Sequence, residues 1–188
     1  MPNPFIVETS VKHLHVSKED FEILFGKGAA LTNKRELSQP GQYLCEEKVS
    51  IIGPKNEIKN VSILGPFRAF TQVELAVTDC RVAGITAPIR ESGDIKGSGC
   101  CVIKGPAGEV ELKEGVVVAK RHVHMTPADA ENWSVENGQI VSISVNSPER
   151  STVFENVVVR VSENFSLAMH IDTDEGNAAF GGTTGTII

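Results

Sequence analysis

Four of the chain's five histidines fall in two short segments that are near-copies of each other. Lys12-His13-Leu14-His15-Val16-Ser17 recurs, 109 positions later, as Arg121-His122-Val123-His124-Met125-Thr126. The fifth histidine, His170, lies in Ala168-Met169-His170-Ile171-Asp172-Thr173-Asp174. Residues i and i+2 of a β-strand point to the same face, so both imidazoles of a His-x-His pair can converge on one ion. Neutral imidazole is a good ligand for zinc and its transition-metal neighbours. Two edge strands whose histidines merely face water would carry the same pattern. Two copies with matching flanks, in a chain with one other histidine, favour a metal site.

The segments that follow each pair repeat as well. Ser17-Lys18-Glu19-Asp20 and Thr126-Pro127-Ala128-Asp129 both have Ser/Thr followed three residues later by an acid, the signature of a helix N-terminus. Pro127 suits the first helical position, where its missing N–H costs nothing. Short helices are therefore expected at about 18–25 and 128–135. Phe21, Ile23, Leu24 and Phe25 would pack the first, and Ala130 and Trp133 the second. Strand, paired histidines, cap and helix occur twice, which predicts two related halves.

Between these modules glycine and proline break the chain into short strand-like runs. These are Val49–Gly53, Val61–Gly65, Val73–Val77, Cys80–Ile85, Cys100–Lys104 and Glu109–Ala119, followed by Gln139–Val145, Ser151–Ser162 and Leu167–Ile171. Gly105-Pro106-Ala107-Gly108 reads as a tight turn. Many short strands with two or three brief helices predict a mainly β chain of two small barrels with helical caps.

Composition excludes several classes. A net charge of −6 argues against nonspecific nucleic-acid binding, which needs a basic face. The imbalance lies late: residues 120–188 hold 4 Lys/Arg against 9 Asp/Glu. An anionic substrate would thus be attracted by a few local cations or a metal. No apolar run reaches the roughly 20 residues that span a bilayer, and the start of the chain lacks signal-peptide character. Cys45, Cys80, Cys100 and Cys101 show no Cys-x-x-Cys spacing and read as thiols of a reducing compartment. Asp172-Thr173-Asp174-Glu175-Gly176 lacks the full EF-hand pattern, so calcium is not expected there; Asp172 and Asp174 could instead back imidazole N–H groups. Gly97-Ser98-Gly99 has no third glycine and is not a dinucleotide fingerprint. Arg90-Glu91-Ser92-Gly93-Asp94 reads as a polar loop, either a surface turn or a ligand contact.

Beyond these patterns, the chain resembles the PduL-type phosphotransacylases, the phosphate propanoyltransferases. The resemblance rests on Lys12-His13-Leu14-His15-Val16-Ser17, on Leu64-Gly65-Pro66-Phe67-Arg68 leading to Thr71-Gln72-Val73-Glu74, and on Pro88-Ile89-Arg90-Glu91-Ser92-Gly93. Arg121-His122-Val123-His124-Met125 and Met169-His170-Ile171-Asp172 complete it. In order these motifs run from about residue 12 to 180.

The resemblance implies reversible acyl exchange, acyl-CoA + Pi ⇌ acyl phosphate + CoA. It implies two interleaved β-barrels with a two-metal site, usually zinc, at their interface. By motif, His13, His15 and Glu74 would hold one metal, and His122, His124 and His170 the other. Arg68 would bind phosphate as the catalytic cation, and Arg90, Ser92 and Gly93 would contact coenzyme A. Phosphate would attack the thioester directly, with no covalent acyl-enzyme. The barrels are expected to comprise residues 1–11 with 120–188, and 12–119, the histidine modules standing at the crossings and facing one cleft. Members of this family that enter bacterial microcompartments carry an N-terminal extension; only eleven residues precede Lys12 here, so a free cytoplasmic enzyme is expected. A homodimer and supply of acyl phosphate to an acyl kinase are the expected associations. Acetyl and propanoyl differ by one methylene, worth only about 1–3 kcal/mol in a pocket. Two other readings stay open: a metal-dependent thioester hydrolase, and a noncatalytic β-barrel holding structural zinc.

Overall fold

The computed structural model describes residues 3–188. In chain order it runs β1 (Phe5–Ser10), β2 (His13–His15), α1 (Lys18–Phe25), β3 (Asn33–Glu36), β4 (Tyr43–Ile52), β5 (Glu57–Gly65) and β6 (Gln72–Glu74). Then come α2 (Val77–Ala83), β7 (Ile89–Arg90), β8 (Gly99–Lys104), β9 (Glu109–Ala119), β10 (His122–Met125) and α3 (Pro127–Trp133). The chain closes with β11 (Ile140–Asn146), β12 (Thr152–Val161), β13 (Ala168–Asp172), α4 (Thr173–Ala178) and β14 (Thr184–Ile187). No helix among the described residues is long and apolar enough to cross a membrane.

The chain divides into two compact units. The terminal unit joins the N-terminal segment through Ser10 to Ser38–Pro40 and Lys120–Ile188; the central unit holds Val11–Leu37 and Gly41–Ala119. In the terminal unit six strands close a ring in the order β1-β13-β10-β12-β11-β14. Alternation sets its inside. Phe5 and Val7 of β1 and Val141, Ile143 and Val145 of β11 turn inward at every second residue. Met125, Ile143 and Met169 are completely buried there.

In the central unit β4, β5, β2, β6, β9 and β8 form a second ring, closed by the pairing of β8 with β4. β3 extends from β4, and β7 lies parallel beside β9. The two rings are topologically the same. β2 lies between a parallel strand, β5, and an antiparallel strand, β6; β10 lies in the same way between β12 and β13. The equivalence continues around the rings, with β9 matched by β1. The counterpart of the central unit's last strand is thus the chain's first, so the repeat is circularly permuted.

Both expected helices form beside the histidine strands. Ser17 accepts a hydrogen bond from the Asp20 amide at the start of α1. Thr126 and Asp129 form a complete capping box at α3, with Pro127 in the first turn. On α1, Phe21 and Leu24 are fully buried, and Phe21 stacks on Phe25 with ring centroids 4.6 Å apart. Ile23, expected in that contact, is 51% exposed. It sits two residues from Phe21, about 200° round the helix.

Two expectations about elements require correction. Cys80–Ile85, read as a strand, is mostly α2, and the strand expected over Val73–Val77 stops at Glu74. The N-cap of α2 is Ala76, which offers no side-chain acceptor, so the start carried no capping signal. Its end did carry one: Gly84 takes the left-handed conformation, φ 74°, that terminates a helix. The second omission is α4, whose capping box is Asp172 with Glu175. Among the described residues there are therefore four helices rather than two or three.

Candidate metal-binding and active site

Each ring brings three potential ligands together. In the central unit these are His13, His15 and Glu74, and in the terminal unit His122, His124 and His170. Within each group one ligand atom from each residue lies within 4.8 Å of the others. The construction is the same in both. A His-x-His strand supplies two imidazoles on one face, and the antiparallel neighbour supplies the third group directly opposite the first histidine. Glu74 of β6 faces His13, and His170 of β13 faces His122.

In the central group every residue has one atom tied down and one turned inward. His13 Nδ1 is 2.8 Å from the Val11 carbonyl oxygen, which can only accept. Nδ1 therefore carries a proton, which leaves Nε2, 3.4 Å from Glu74 Oε2, as the ring atom that a metal would take. The Leu64 carbonyl hydrogen-bonds the His15 ring, whose buried Nδ1 has no partner. Glu74 Oε1 accepts from Gln72 Nε2 at 2.7 Å and from Ser92 Oγ at 2.9 Å. Three inward atoms remain: an imidazole Nε2, an imidazole Nδ1 and a carboxylate oxygen. That is the donor chemistry of zinc and similar divalent metals.

Burial and charge act together on these groups. His15 is 8% exposed. Burial, then the neighbouring His13, pushes its pKa down to about 4, so the ring is neutral at physiological pH. Burial also works against charge on His13, but the Glu74 carboxylate outweighs it and raises the pKa. Glu74 resists its own burial for the same reason: His13, His15 and the Ser92 hydroxyl hold its carboxyl well below the usual range.

The terminal group repeats the pattern with an imidazole in place of the carboxylate. His122 Nδ1 lies 2.9 Å from the Lys120 carbonyl oxygen, and His170 Nδ1 lies 3.5 Å from Glu8 Oε2. Ser38 Oγ donates to that carboxylate at 2.6 Å. The acid beside His170 is thus Glu8 rather than Asp172, whose carboxylate accepts from the Glu175 amide in the cap of α4. His124 is 7% exposed and stacks on Phe165, centroids 3.9 Å apart and planes 14° from parallel. Both its ring nitrogens are buried without a hydrogen-bond partner. Burial, then the flanking His122 and His170, drives its pKa down to about 2. A buried imidazole with neither nitrogen satisfied is costly, and a bound cation would satisfy one of the two. The residues present fit a metal in both groups.

Arg68 is exposed, its backbone N–H bonded to the Val16 carbonyl just beyond the His13–His15 strand, and its charge contributes to the lowered His15 pKa. Arg90 is half-buried and pairs with Asp94 at 2.7 Å. Ser92 and Gly93 reach the Glu74 carboxylate and the Gln72 amide. Gln72, 2% exposed, belongs to this cluster and was not singled out from the sequence. Its spacing from Glu74, two residues along a strand, was the available signal.

Neither Cys45 nor Cys101 is an activated nucleophile. Burial pushes the Cys45 thiol up to about 11 and Cys101 to about 12.

Comparison with known proteins agrees with the motif resemblance. A profile of the phosphate propanoyltransferase family matches residues 6–181. The phosphate propanoyltransferase of Listeria monocytogenes is 52% identical over 172 residues, which is 92% of this chain and 80% of that protein. Those of Clostridioides difficile and Thermotoga maritima are 51% and 49% identical. The alignments cover 96% and 93% of this chain, and 86% and 83% of the respective relatives. The chain therefore belongs to the phosphate propanoyltransferase family of acyltransferases.

Proposed function

We propose that this protein exchanges an acyl group, propanoyl or acetyl, between coenzyme A and inorganic phosphate, with two divalent metals held by the two ligand groups. The observation that carries the metal reading is the repeated construction: a His-x-His strand with the third ligand opposite its first histidine, in both rings. Zinc suits the donor set. When bound it supplies Lewis acidity toward oxygen and an affinity for thiolate.

The chain's own residues supply orientation and selectivity. Phosphate is doubly charged and strongly hydrated, so it needs a fixed cation to replace its water. Arg68 does this with a planar fork of N–H donors matched to phosphate oxygens. Phosphate oxygen attacks the thioester carbonyl, and the carbon–sulfur bond breaks to release the CoA thiolate. The high pKa values of Cys45 and Cys101 support this direct route over a cysteinyl acyl-enzyme. Arg90, two residues before Ser92, is the cation proposed to meet the phosphates of coenzyme A.

The acyl phosphate is a reactive anhydride suited to a kinase that transfers its phosphoryl group to ADP. Four cysteines without a disulfide support a reducing compartment such as the cytoplasm. A homodimer is the proposed assembly.

The test is an assay of metal-quantified protein with acetyl-CoA and propanoyl-CoA, with and without phosphate, following thiol release and acyl phosphate. Phosphate-dependent release with an equal yield of acyl phosphate is expected. Thiol release without phosphate would mean hydrolysis, and none from fully metallated protein would mean a structural metal.

A further inference from the structure

We infer that Gln72 is a positioning residue, holding the Glu74 carboxylate ready for a metal while tying the Ser92–Gly93 segment to it. The inference rests on the proposed metal role of the His13, His15 and Glu74 group.

Gln72 and Glu74 are two residues apart on β6 and share a face, with His15 opposite Gln72 and His13 opposite Glu74. The Gln72 amide is 2% exposed and fully engaged. Its Oε1 accepts from the Gly93 backbone N–H at 2.8 Å. That contact fixes which end of the amide is which, because only oxygen can accept. Nε2 must then face the other way, where it donates to Glu74 Oε1 at 2.7 Å and to Ser92 Oγ at 2.9 Å. The Ser92 hydroxyl donates its own hydrogen bond to the same Glu74 Oε1 at 2.9 Å.

The result is a closed triangle with two donors on one carboxylate oxygen. Oε1 is saturated, and Oε2 is the oxygen turned to His13. Without the triangle the carboxylate could rotate about its last bond and swing Oε2 away from the imidazoles. Loss of such backing typically weakens metal binding roughly 10- to 100-fold. The arrangement also makes the loop after β7 depend on the state of Glu74, since Ser92 and Gly93 have their donors committed to this pair.

Gln72→Met keeps the length and removes every hydrogen bond; Ser92→Ala removes one donor, and Ser92→Thr restores it. Each variant and the parent would be titrated with zinc and with cobalt(II) against a competing chelator, recording the cobalt spectrum, and assayed for kcat and KM. The parent is expected to bind two ions. Gln72→Met should bind one of them about 10- to 100-fold more weakly and the other unchanged. Ser92→Ala should show a smaller loss of the same ion, and Ser92→Thr should recover it. Affinities for both ions unchanged from the parent in Gln72→Met, or equal weakening of both, overturns the inference while leaving the metal reading intact. If Gln72→Met does not fold, Ser92→Ala decides by the same criterion. A folded parent that binds no metal overturns the metal reading, and the inference with it.

Discussion

His13 and His122 occupy the same station in two rings of identical strand order, and each turns Nδ1 to the carbonyl two residues earlier. The distances are 2.8 Å to Val11 and 2.9 Å to Lys120. The repeat therefore extends past the imidazoles to the backbone groups that choose their tautomers. A hydrogen bond from Nδ1–H leaves Nε2 as the donor atom, and it raises the basicity of a ligating ring. In both histidines Nε2 is thus the atom that would face a metal.

If the groups act independently, His13→Ala and His122→Ala should each reduce the bound metal from about two ions per chain to about one. Acyl transfer should fall at least 100-fold in both, since each variant loses a ligand rather than its support. Elemental analysis beside the activity assay checks this. Retention of two tightly bound ions by either variant would remove that histidine from the ligand set.

Arg68→Lys keeps the charge and loses the fork. KM for phosphate should rise about tenfold or more, with KM for acyl-CoA nearly constant. Arg68→Ala should be worse by the same measure. A rise confined to the KM for acyl-CoA would move Arg68 from phosphate to the thioester substrate.

Metal-stripped protein should lose stability as pH falls from about 6.5 toward 4. His15 and His124 are held neutral in the fold, at about 4 and about 2, but take up protons near 6.5 when unfolded. The unfolded chain then binds more protons, so each contributes a loss of roughly 1 kcal/mol per pH unit across that window. His13 acts oppositely: its raised pKa gives stability that is present in acid and lost as pH rises through the folded value. Glu74, held low, stabilises above its unfolded pKa near 4.5 and loses that contribution as pH falls further. The His13 change lies above pH 6.5, so from 6.5 down to about 5 the two neutral histidines leave a net loss on acidification. Urea melts at pH 7.5, 6 and 5 measure it, and a flat profile would contradict the neutral burial of His15 and His124.

Phe21→Ala should destabilise the central barrel by about 3–5 kcal/mol. The ring is fully buried, stacked on Phe25 and set edge-on to Phe67 at 5.3 Å. Ile23→Ala, on the exposed side of the same helix, should cost under about 1 kcal/mol. Denaturant midpoints of the two variants compare the faces directly, and similar losses would mean that α1 packs differently.

Much of this protein is written locally. The period of two fixes each His-x-His pair on one face, and Ser17 and Thr126 mark the starts of the helices that follow. The mainly β class follows from short apolar runs between glycines and prolines. Local pattern misled at Cys80–Ile85, where an apolar run too short to show a period fits a strand and a helix equally well. It was silent at Gln72, a polar residue whose importance lies in what it touches. Without the family resemblance, Glu74 would have read as an ordinary strand carboxylate.

The third members of the two groups were decided elsewhere. Glu74 lies 61 positions from His13, and His170 lies 48 positions from His122; each meets its histidine only through the register of an antiparallel pair. A one-residue slip in either ladder would turn that side chain to the opposite face. The sequence by itself determined the paired imidazoles, because neighbours along a strand share a face whatever the fold. Only the tertiary structure decided which carboxylate and which fifth histidine complete the groups, because strand register is set by whole-barrel packing and not by adjacent residues.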